Sequence, residues 1–461
     1  MVFPVVGGDG KPTGYEIDNS LRFNDGDLPL LTRTHSDTNH RTFTFSCWVK
    51  RSALGTGNMR LFNTDDEASD DFRIRFTSAD ILHVSDNQSG TSYELDTNRK
   101  FRDISAWYHI VVAWDTTQGT AANRIKLYVN GVQETSFSTA SYPTQNFDTL
   151  VNQNTSHEVG GSLYDADGTG PRQPFDGYMS EVYFIDGTAY AASDFGETND
   201  NGVWIPKDAK GDLTFGTNGF YMEFQQTGTS ANSSGMGADT SGNDNHFAAT
   251  NLAATDVTTD TPTNNFCTYN AVDTSSNITL SEGNTLATAN SNHSASRATI
   301  GLRNGKWYWE NKIVSDSGGP AVGIMAANAS LVDQLNSTPS RFYRDSGQKI
   351  TDGTASNYGN TYTTNDIIGV ALDLDNGAIY FYKNGTIQNS GTAAFTDLLT
   401  ATTEHWLPAV KLYNEAISIN FGNPSHSISS GNADANGYGN FEYAVPSGYY
   451  SLCTKNLAEY G

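Results

Sequence analysis

Apolar and polar residues alternate along short segments of this chain, and no long segment places its apolar residues at helical spacing. The clearest alternation runs from Phe43 to Val49, where every second side chain is apolar. A period of two predicts a β-strand with one buried side. Asn-Gly and Asp-Gly pairs, which favour hairpin turns, recur between such segments. The pattern predicts an all-β fold of short antiparallel strands.

One sequence motif occurs twice in this chain. Residues 112–115 (VAWD) are followed by 125–131 (IKLYVNG), and residues 370–373 (VALD) are followed by 379–385 (IYFYKNG). In each copy an apolar strand ends in Asp, a polar turn follows, and a second alternating strand runs into Asn-Gly. Each copy therefore predicts the same three-stranded piece of antiparallel sheet, and the two copies predict two tandem β-sandwich domains.

Length and composition indicate how the 461 residues divide into domains. A chain of this length suits two or three domains. We predict a polar N-terminal docking segment at 1–22 and a first sandwich at 23–227. Residues 228–264 are rich in Thr, Ser, Asn, Gly and Asp, which is typical of a linker. A second sandwich follows at 265–461.

The chain is strongly acidic, with 51 acidic and 27 basic side chains and a formal net charge of -24. Such a surface repels phosphate backbones and anionic lipid, so it argues against nucleic acid and membranes as partners. No apolar stretch is long enough for a membrane span, and residues 1–8 do not read as a secretory signal. Cys47, Cys267 and Cys453 lie far apart and predict neither a disulfide framework nor a metal centre, which indicates folding in a reducing cytoplasm.

The first predicted sandwich resembles the laminin G-like, concanavalin-like lectin family. The resemblance rests on the sequence segments 45–50 (FSCWVK), 107–112 (WYHIVV), 125–131 and 175–183 (FDGYMSEVY). The second predicted sandwich resembles the SPRY family. Five sequence segments occur in the same order as in that family, at 305–310, 322–324, 366–385, 406–410 and 419–422.

The junction at 260–267 (DTPTNNFC) completes a third resemblance. This arrangement, a laminin G-like sandwich followed by the junction segment and a SPRY-like sandwich, is similar to that of structural proteins of marine tailed bacteriophages. The resemblance implies a virion protein, made in the host cytoplasm, of the tail-fibre or receptor-binding type. Its implied partners are other virion proteins and a host-surface glycan or protein. A capsid decoration or cement protein, or a head fibre, is the alternative. A homo-oligomer is expected, and we take a trimer as the working expectation.

An enzymatic role finds little support in the sequence. Glucanases of the concanavalin-like fold use E-x-D-x-x-E on one strand, which puts nucleophile and acid on the same face. Glu16 and Asp18 begin such a spacing, but Leu21 stands where the general acid would be. The histidines have no G-x-S-x-G partner, and no nucleotide-binding G-x-x-x-x-G-K-[ST] occurs. We therefore expect a binding protein, not an enzyme.

Candidate binding residues follow from the two resemblances. Laminin G-like sandwiches often hold Ca²⁺ with loop oxygens, which this hard cation prefers. Asp165 and Asp167, in the loop that also contains Tyr164, are the predicted calcium ligands, although solvated loop acids are the simpler interpretation. The family's loops also suggest ligand contacts by aromatic rings, which can stack on a sugar face. The predicted contact residues are Tyr164, Tyr343, Tyr358 and Tyr413.

Overall fold

A computed structural model describes residues 14–65, 70–163, 173–290, 293–331 and 338–461. The described chain forms two compact units, one ending at Thr263 and the other beginning at Asn264. Antiparallel sheets account for nearly all of the regular structure in both units, so the predicted all-β class is confirmed. No helix among these residues has the length and apolar character needed to cross a bilayer.

The first domain consists of two large sheets and a small hairpin. Its strands are β1 (Ser20–Phe23), β2 (Leu30–Thr34), β3 (Thr42–Arg51), β4 (Met59–Asp65), β5 (Asp71–Phe76), β6 (Ile81–Gln88), β7 (Thr91–Lys100), β8 (Tyr108–Asp115), β9 (Ile125–Val129), β10 (Val132–Gln133), β11 (Phe137–Ser141), β12 (Ser156–Val159), β13 (Gly177–Asp186), β14 (Gly196–Thr198), β15 (Trp204–Pro206), β16 (Phe220–Met222), β17 (Ala248–Thr250) and β18 (Val257–Thr258).

These strands pair in two long rows. One sheet has the order β10-β9-β8-β3-β13-β1-β18, with β16 also pairing β13, and the other has the order β11-β7-β6-β5-β4-β12-β2-β17. The alternation that starts at Phe43 lies in β3, and Phe43, Phe45, Cys47 and Val49 all belong to the core between the sheets. The alternation thus identifies the residues that face this core. The other side of β3 is buried as well, including Ser46 and Trp48, so the prediction of a single buried side is wrong for this strand.

The second domain has the same general plan. Its elements are β19 (Tyr269–Thr274), β20 (Ile278–Ser281), β21 (Leu286–Ala289), β22 (Ser294–Ala298), β23 (Lys306–Ser315), β24 (Ala321–Ala326), β25 (Ser340–Arg344), β26 (Gln348–Thr351), β27 (Thr354–Asn357), β28 (Ile367–Asp373), β29 (Ala378–Lys383), β30 (Thr386–Ile387), α1 (Leu398–Ala401), β31 (Trp406–Leu412), β32 (Ala416–Asn420), β33 (Tyr450–Ser451) and α2 (Thr454–Tyr460). The sheets have the orders β19-β22-β31-β24-β25-β26-β27 and β20-β21-β32-β23-β28-β29-β30, and β33 pairs β23.

The sequence motif that occurs twice forms the same three-stranded piece of sheet in both domains, as predicted. It gives β8-β9-β10 in the first domain and β28-β29-β30 in the second. Both Asn-Gly pairs have two consecutive positive φ angles, 48° and 79° at Asn130-Gly131 and 47° and 76° at Asn384-Gly385. That combination belongs to the type I′ turn, which matches the twist of the strands it joins. Each copy therefore ends its sheet in a strand of only two residues.

The predicted linker at 228–264 is wrong, because much of this stretch is built into the first domain. β17 and β18 extend the two sheets, and Met236 and Phe247 enter the core. The carboxylate of Asp239 accepts hydrogen bonds from the backbone N–H groups of Tyr221, Ser241 and Asn245. Short polar side chains thus satisfy backbone groups locally, which composition alone does not distinguish from a linker.

The N-terminal segment is also divided differently from the prediction. Residues 1–13 lie outside the described part of the chain, whereas Ser20–Phe23 form β1 inside the first domain. The backbone N–H of Ile17 donates to Thr263 Oγ1 at 3.1 Å, and Leu21 is fully buried. The described part of the predicted docking segment is therefore a structural part of the first sandwich.

Candidate functional site

Two of the predicted aromatic contact residues are core residues. Tyr343 is fully buried, and its ring packs against Tyr358, Tyr362 and Phe381. Its hydroxyl donates to the carbonyl oxygen of Asn360, and Tyr358, which is only 7% exposed, donates to the carbonyl of Thr392 at 3.2 Å. Both hydroxyls are satisfied internally and neither ring offers a face to solvent, so the expectation that these two rings lie at an exposed loop rim is corrected.

The remaining predicted residues stay predictions. Tyr413 is 39% exposed, and its ring lies 4.7 Å from that of His293, so it retains a surface that a ligand could contact. Tyr164, Asp165 and Asp167 lie outside the described residues, and the calcium assignment therefore stays a prediction.

A different site emerges on the first domain. We define the polar face as the outward side chains of five neighbouring strands, β4, β5, β6, β7 and β12. The inward partners on the same strands, including Phe62, Ile74, Val84, Leu95 and Val159, are core residues. The members of the polar face are Arg60, Asn63, Asp71, Arg73, Arg75, His83, Ser85, Asn87, Glu94, Asp96 and Glu158.

Strand register arranges the polar face in rows across the sheet. In one row Arg75 lies opposite Arg60 on one side and opposite His83 on the other, and His83 lies opposite Asp96. In the next row Arg73 lies between Asn63 and Ser85, with Glu158 and Glu94 further out on either side. Guanidinium groups therefore occupy the middle of the face, and carboxylates flank them.

One end of the polar face is covered. Arg60 and Glu158 are buried, and Arg60 donates from Nε to Gln173 Oε1 at 3.2 Å and from Nη1 to Ser162 Oγ at 3.3 Å. The side chain of Asn63 also donates to Glu158. On the β5–β7 side the side chains of Arg73 and Asp96 keep 19% and 20% of their surface exposed, so a ligand can approach there.

Asp71 supplies the carboxylate for two of the three arginines. Its oxygens lie 3.4 Å from Arg60 Nη2 and 3.1 Å from Arg73 Nη2, and Asn87 donates to it at 2.7 Å. Arg75 has a different partner, because its Nη1 donates to the neutral Gln173 Oε1 at 3.1 Å. Burial, with added repulsion from Arg73 and Arg60, lowers the pKa of Arg75 to about 10.

His83, Glu94 and Asp96 could together hold a metal ion, since their ligand atoms all lie within 4.8 Å of one another. His83 Nδ1 lies 2.6 Å from an Asp96 oxygen, and His83 Nε2 lies 2.9 Å from Ser85 Oγ. An imidazole with two carboxylates suits a transition metal such as Zn²⁺ or Mn²⁺ better than Ca²⁺. The hydrogen bond from His83 lowers the pKa of Asp96, which does not suit that carboxyl for the role of a general acid at neutral pH.

A pocket of about 420 Å³ opens beside the polar face. Gln173 and Met59 line it together with Pro174, Leu28 and Asn58. Gln173 therefore belongs to both features, because its side-chain oxygen also accepts from Arg60 and Arg75.

Sequence reasoning missed the polar face, although part of its signal is present. Residues 71–76 read Asp-Phe-Arg-Ile-Arg-Phe, a strict alternation of charged and apolar positions. That pattern predicts a half-buried strand with charged outward residues. It does not reveal that Arg60, on another strand, and Gln173, far along the chain, lie beside Arg75.

Comparison with known families agrees with this architecture. Residues 24–194 match the model described as the concanavalin A-like lectin/glucanases superfamily, Laminin_G_3, and residues 306–424 match the SPRY domain model. The chain therefore contains a laminin G-like and a SPRY β-sandwich, as the sequence resemblances implied.

Individual relatives match only parts of the chain. The ATP-dependent RNA helicase Ddx1 of Drosophila melanogaster is 36% identical over 139 residues, which are 30% of this chain and 18% of that protein. The corresponding Dictyostelium discoideum protein is 33% identical over 129 residues, 27% of this chain and 16% of that protein. The chain thus spans less than a fifth of the length of these curated relatives.

Solved structures match single domains. The SPRY domain of human HERC1 has 21% identity and a TM-score of 0.29, covering 33% of this chain and 96% of that one. A heptameric SAP-like pentraxin from Limulus polyphemus has 14% identity and a TM-score of 0.28, covering 38% of this chain and 78% of that one.

Proposed function

We propose that this chain is a non-enzymatic attachment protein of a bacteriophage particle, and that its first domain binds host-surface glycan through the polar face. The observation that carries the glycan part is a sheet face rich in charged and amide side chains, which Gln173 links to a neighbouring pocket. Sugars present dense rows of hydroxyl groups, and carboxylate, amide and guanidinium groups are the partners that fix such groups in orientation. The tandem of the two domain types supports the virion context by resemblance.

The absence of catalysis is part of this proposal. Glycoside hydrolysis needs a carboxylic acid with a raised pKa beside a second carboxylate. Glu94 and Asp96 lie two residues apart on the same face, but His83 lowers the pKa of Asp96. In the E-x-D-x-x-E spacing that begins at Glu94, Arg99 stands where the glucanases have the general acid.

The proposed partners are other virion proteins and a host-surface glycan or protein, with neither nucleic acid nor membrane insertion involved. The proposed assembly is a homo-oligomer, for which a trimer is the working expectation. Calcium held by Asp165 and Asp167 is an optional part of the proposal. Melting the chain with Ca²⁺ and with a chelator tests it: a higher melting temperature that D165N abolishes supports the site, and unchanged melting rejects it.

Binding to cells tests the attachment role. Fluorescently labelled full-length chain is titrated onto host cells, onto cells stripped of surface polysaccharide, and onto emptied capsids. Saturable binding to untreated cells that disappears after stripping supports glycan attachment. An R73Q variant should weaken this binding, whereas R41Q, which removes an exposed arginine paired with Asp148 elsewhere on the domain, should not.

Capsid decoration is the alternative function. A cement protein joins neighbouring subunits, so it would bind emptied capsids tightly and would not bind cells. Saturable capsid binding without cell binding therefore rejects the attachment role. Gold labelling of intact particles with an antibody to the chain distinguishes a tail position from a head position.

A further inference from the structure

We propose that the polar face recognises an acidic sugar, and that Arg75, supported by Arg73, receives the carboxylate of a hexuronic acid unit. This inference rests on the proposed glycan-binding function and names the class of glycan. It concerns the open β5–β7 side of the face, where Arg73 keeps part of its surface exposed.

Arg75 is the arginine of this face with unused donor capacity. Nη1 donates to Gln173 Oε1, but Nε is buried and makes no hydrogen bond. Among the described residues no carboxylate lies within ion-pair distance of Arg75, whereas Arg60 and Arg73 share Asp71. A buried donor left unsatisfied is unfavourable, and a charged donor more so. A bound carboxylate would supply the ion pair that Arg75 lacks.

Two neighbouring guanidinium groups add to the attraction of Arg75 for an anion, and the carboxylates of Asp71 and Asp96 offset part of it. Arg60 lies directly opposite on β4, and Arg73 lies two residues away on the same side of β5. Burial and the repulsion from these two groups lower the pKa of Arg75 to about 10. An anion placed over the row would reduce this repulsion, since opposite charge at close range favours the charged form of the guanidinium.

The shape of the guanidinium favours a carboxylate among anions. Its planar fork of N–H donors matches the two oxygens of a carboxylate in a bidentate pair. Around it, Ser85, Glu94 and Asp96 offer hydroxyl and carboxylate groups at the spacing of a pleated sheet. Those groups suit the hydroxyls of the same sugar ring, so the face combines one anion receptor with several hydroxyl partners.

A general electrostatic attraction between this chain and polyanions would not explain the binding of an acidic sugar. The chain has a formal net charge of -24, which repels a polyanion at distances up to about a Debye length, ~8 Å at physiological salt, and is screened beyond it. Selectivity for an acidic sugar would therefore come from the local arginine row. Short oligosaccharides should show it as well as long polymers do.

The test measures binding of three short probes to the full-length chain by calorimetry. The probes are tri-galacturonic acid, the neutral galactose trisaccharide of the same linkage, and a sulfated form of the neutral trisaccharide. We expect tri-galacturonic acid to bind at least about tenfold more tightly than either of the other probes, which is about 1.4 kcal/mol. R75Q, which retains a donor for Gln173, should remove this preference, and R41Q should keep it.

The outcomes separate the two proposals. Equal affinity for acidic and neutral probes, or a preference that survives R75Q, overturns the acidic-sugar inference and leaves glycan attachment standing. Preference for the sulfated probe also overturns it. If the chain binds no glycan and no host cell, both proposals fall. R75K provides a second variant should R75Q melt early: it keeps the charge without the planar fork, and the acidic preference should fall several-fold.

Discussion

The imidazole rings of His35 and His157 stack in the core of the first domain, with centroids 3.6 Å apart and an interplanar angle of 6°. Both histidines are buried. The backbone N–H of Asn152 donates to His157 Nε2 at 3.0 Å, and His157 Nδ1 lies 3.1 Å from the carbonyl of Thr155. His157 is therefore neutral, with its proton on Nδ1, because Nε2 must accept a backbone N–H.

We predict that mild acid destabilises the first domain. Burial lowers the pKa of His157 to about 3, and burial with repulsion from His157 and Arg33 lowers the pKa of His35 well below its usual value. At these two histidines the unfolded chain takes up protons below about pH 6.5, and the folded chain does not. The contribution of the histidines to stability is therefore complete above about pH 6.5 and falls as the pH decreases towards 3, by roughly 2 kcal/mol per histidine between pH 6.5 and 5. Asp86 and Glu181 of the same domain, whose pKa values burial raises to about 7, act in the opposite direction and offset part of this effect.

Urea unfolding at pH 7.5, 6 and 5 measures this effect. H157Q should lower the slope of unfolding free energy against pH by about 1.4 kcal/mol per pH unit. His109, another buried histidine of this domain with a pKa lowered to about 3, supplies part of the slope that remains. A slope unchanged by H157Q would contradict the assignment.

The second domain should respond to pH in the opposite direction. Glu310 is buried, and its carboxylate accepts the backbone N–H groups of Glu442 and Tyr443 at 2.9 and 2.8 Å. Burial nevertheless raises its pKa to about 7, above the usual 4.5. A raised carboxyl pKa stabilises the fold fully below about pH 4.5, and this contribution is lost as the pH rises through 7, a change of about 3 kcal/mol.

Glu310→Gln tests this expectation, because a neutral amide does not titrate. The variant should be flat between pH 5 and 8 where the parent chain loses stability, and the two curves should lie closest at the lower end, where Glu310 of the folded chain is protonated and as neutral as the amide. Monitoring Trp307 and Trp309, which lie in the second core, restricts the signal to this domain when tryptophans of the first domain are replaced by Phe. Parallel curves for parent and variant would exclude the role of Glu310.

Gly131 should tolerate no side chain. A Cβ there would lie 2.3 Å from the ring of Trp204, and the residue has φ of +79°. G131A is therefore expected to lower stability by about 1–2 kcal/mol for the left-handed backbone and about 1–3 kcal/mol more for the clash. Gly202 is the matched control, since it has φ of +77° with no atom within 4 Å. Thermal melts in which G202A loses as much as G131A would refute the contact with Trp204.

The first domain should fold only when it extends to Thr263. Lys50 Nζ lies 2.7 Å from Asp260 Oδ2, and both side chains are almost completely buried. Removing one partner of a buried ion pair typically destabilises a protein by about 3–5 kcal/mol. A fragment of residues 14–263 should therefore give a cooperative melt, and a fragment of residues 14–227 should aggregate. D260N in the longer fragment should reproduce much of the loss, and a stable 14–227 fragment would contradict this prediction.

The sequence allowed the strands and their pairing to be predicted where the signal was local. The Asn-Gly turn after Val129 and the alternation from Phe43 depend on neighbours along the chain, and both the turn and the strand were predicted correctly. The burial of the second side of that strand was missed, because other segments of the chain cover it. The site depends on distant segments: Gln173 accepts from Arg60 and Arg75, and no periodicity reports that approach. Burial of Tyr343 was missed for the same reason, because whether an aromatic residue faces the core or a loop rim is settled by the opposite sheet.

The pairing of β1 with β18 brings the first strand of the first domain against its last, with Leu21 opposite Val257. On the ribosome, β1 must wait for nearly the whole domain to be translated before this neighbour arrives. During that interval the nascent chain carries an incomplete sheet with an open edge, the state in which chains associate wrongly. Slow translation just beyond Thr263 would let the first sandwich close before the apolar strands of the second emerge, so codon choice at this junction should affect the yield of soluble protein.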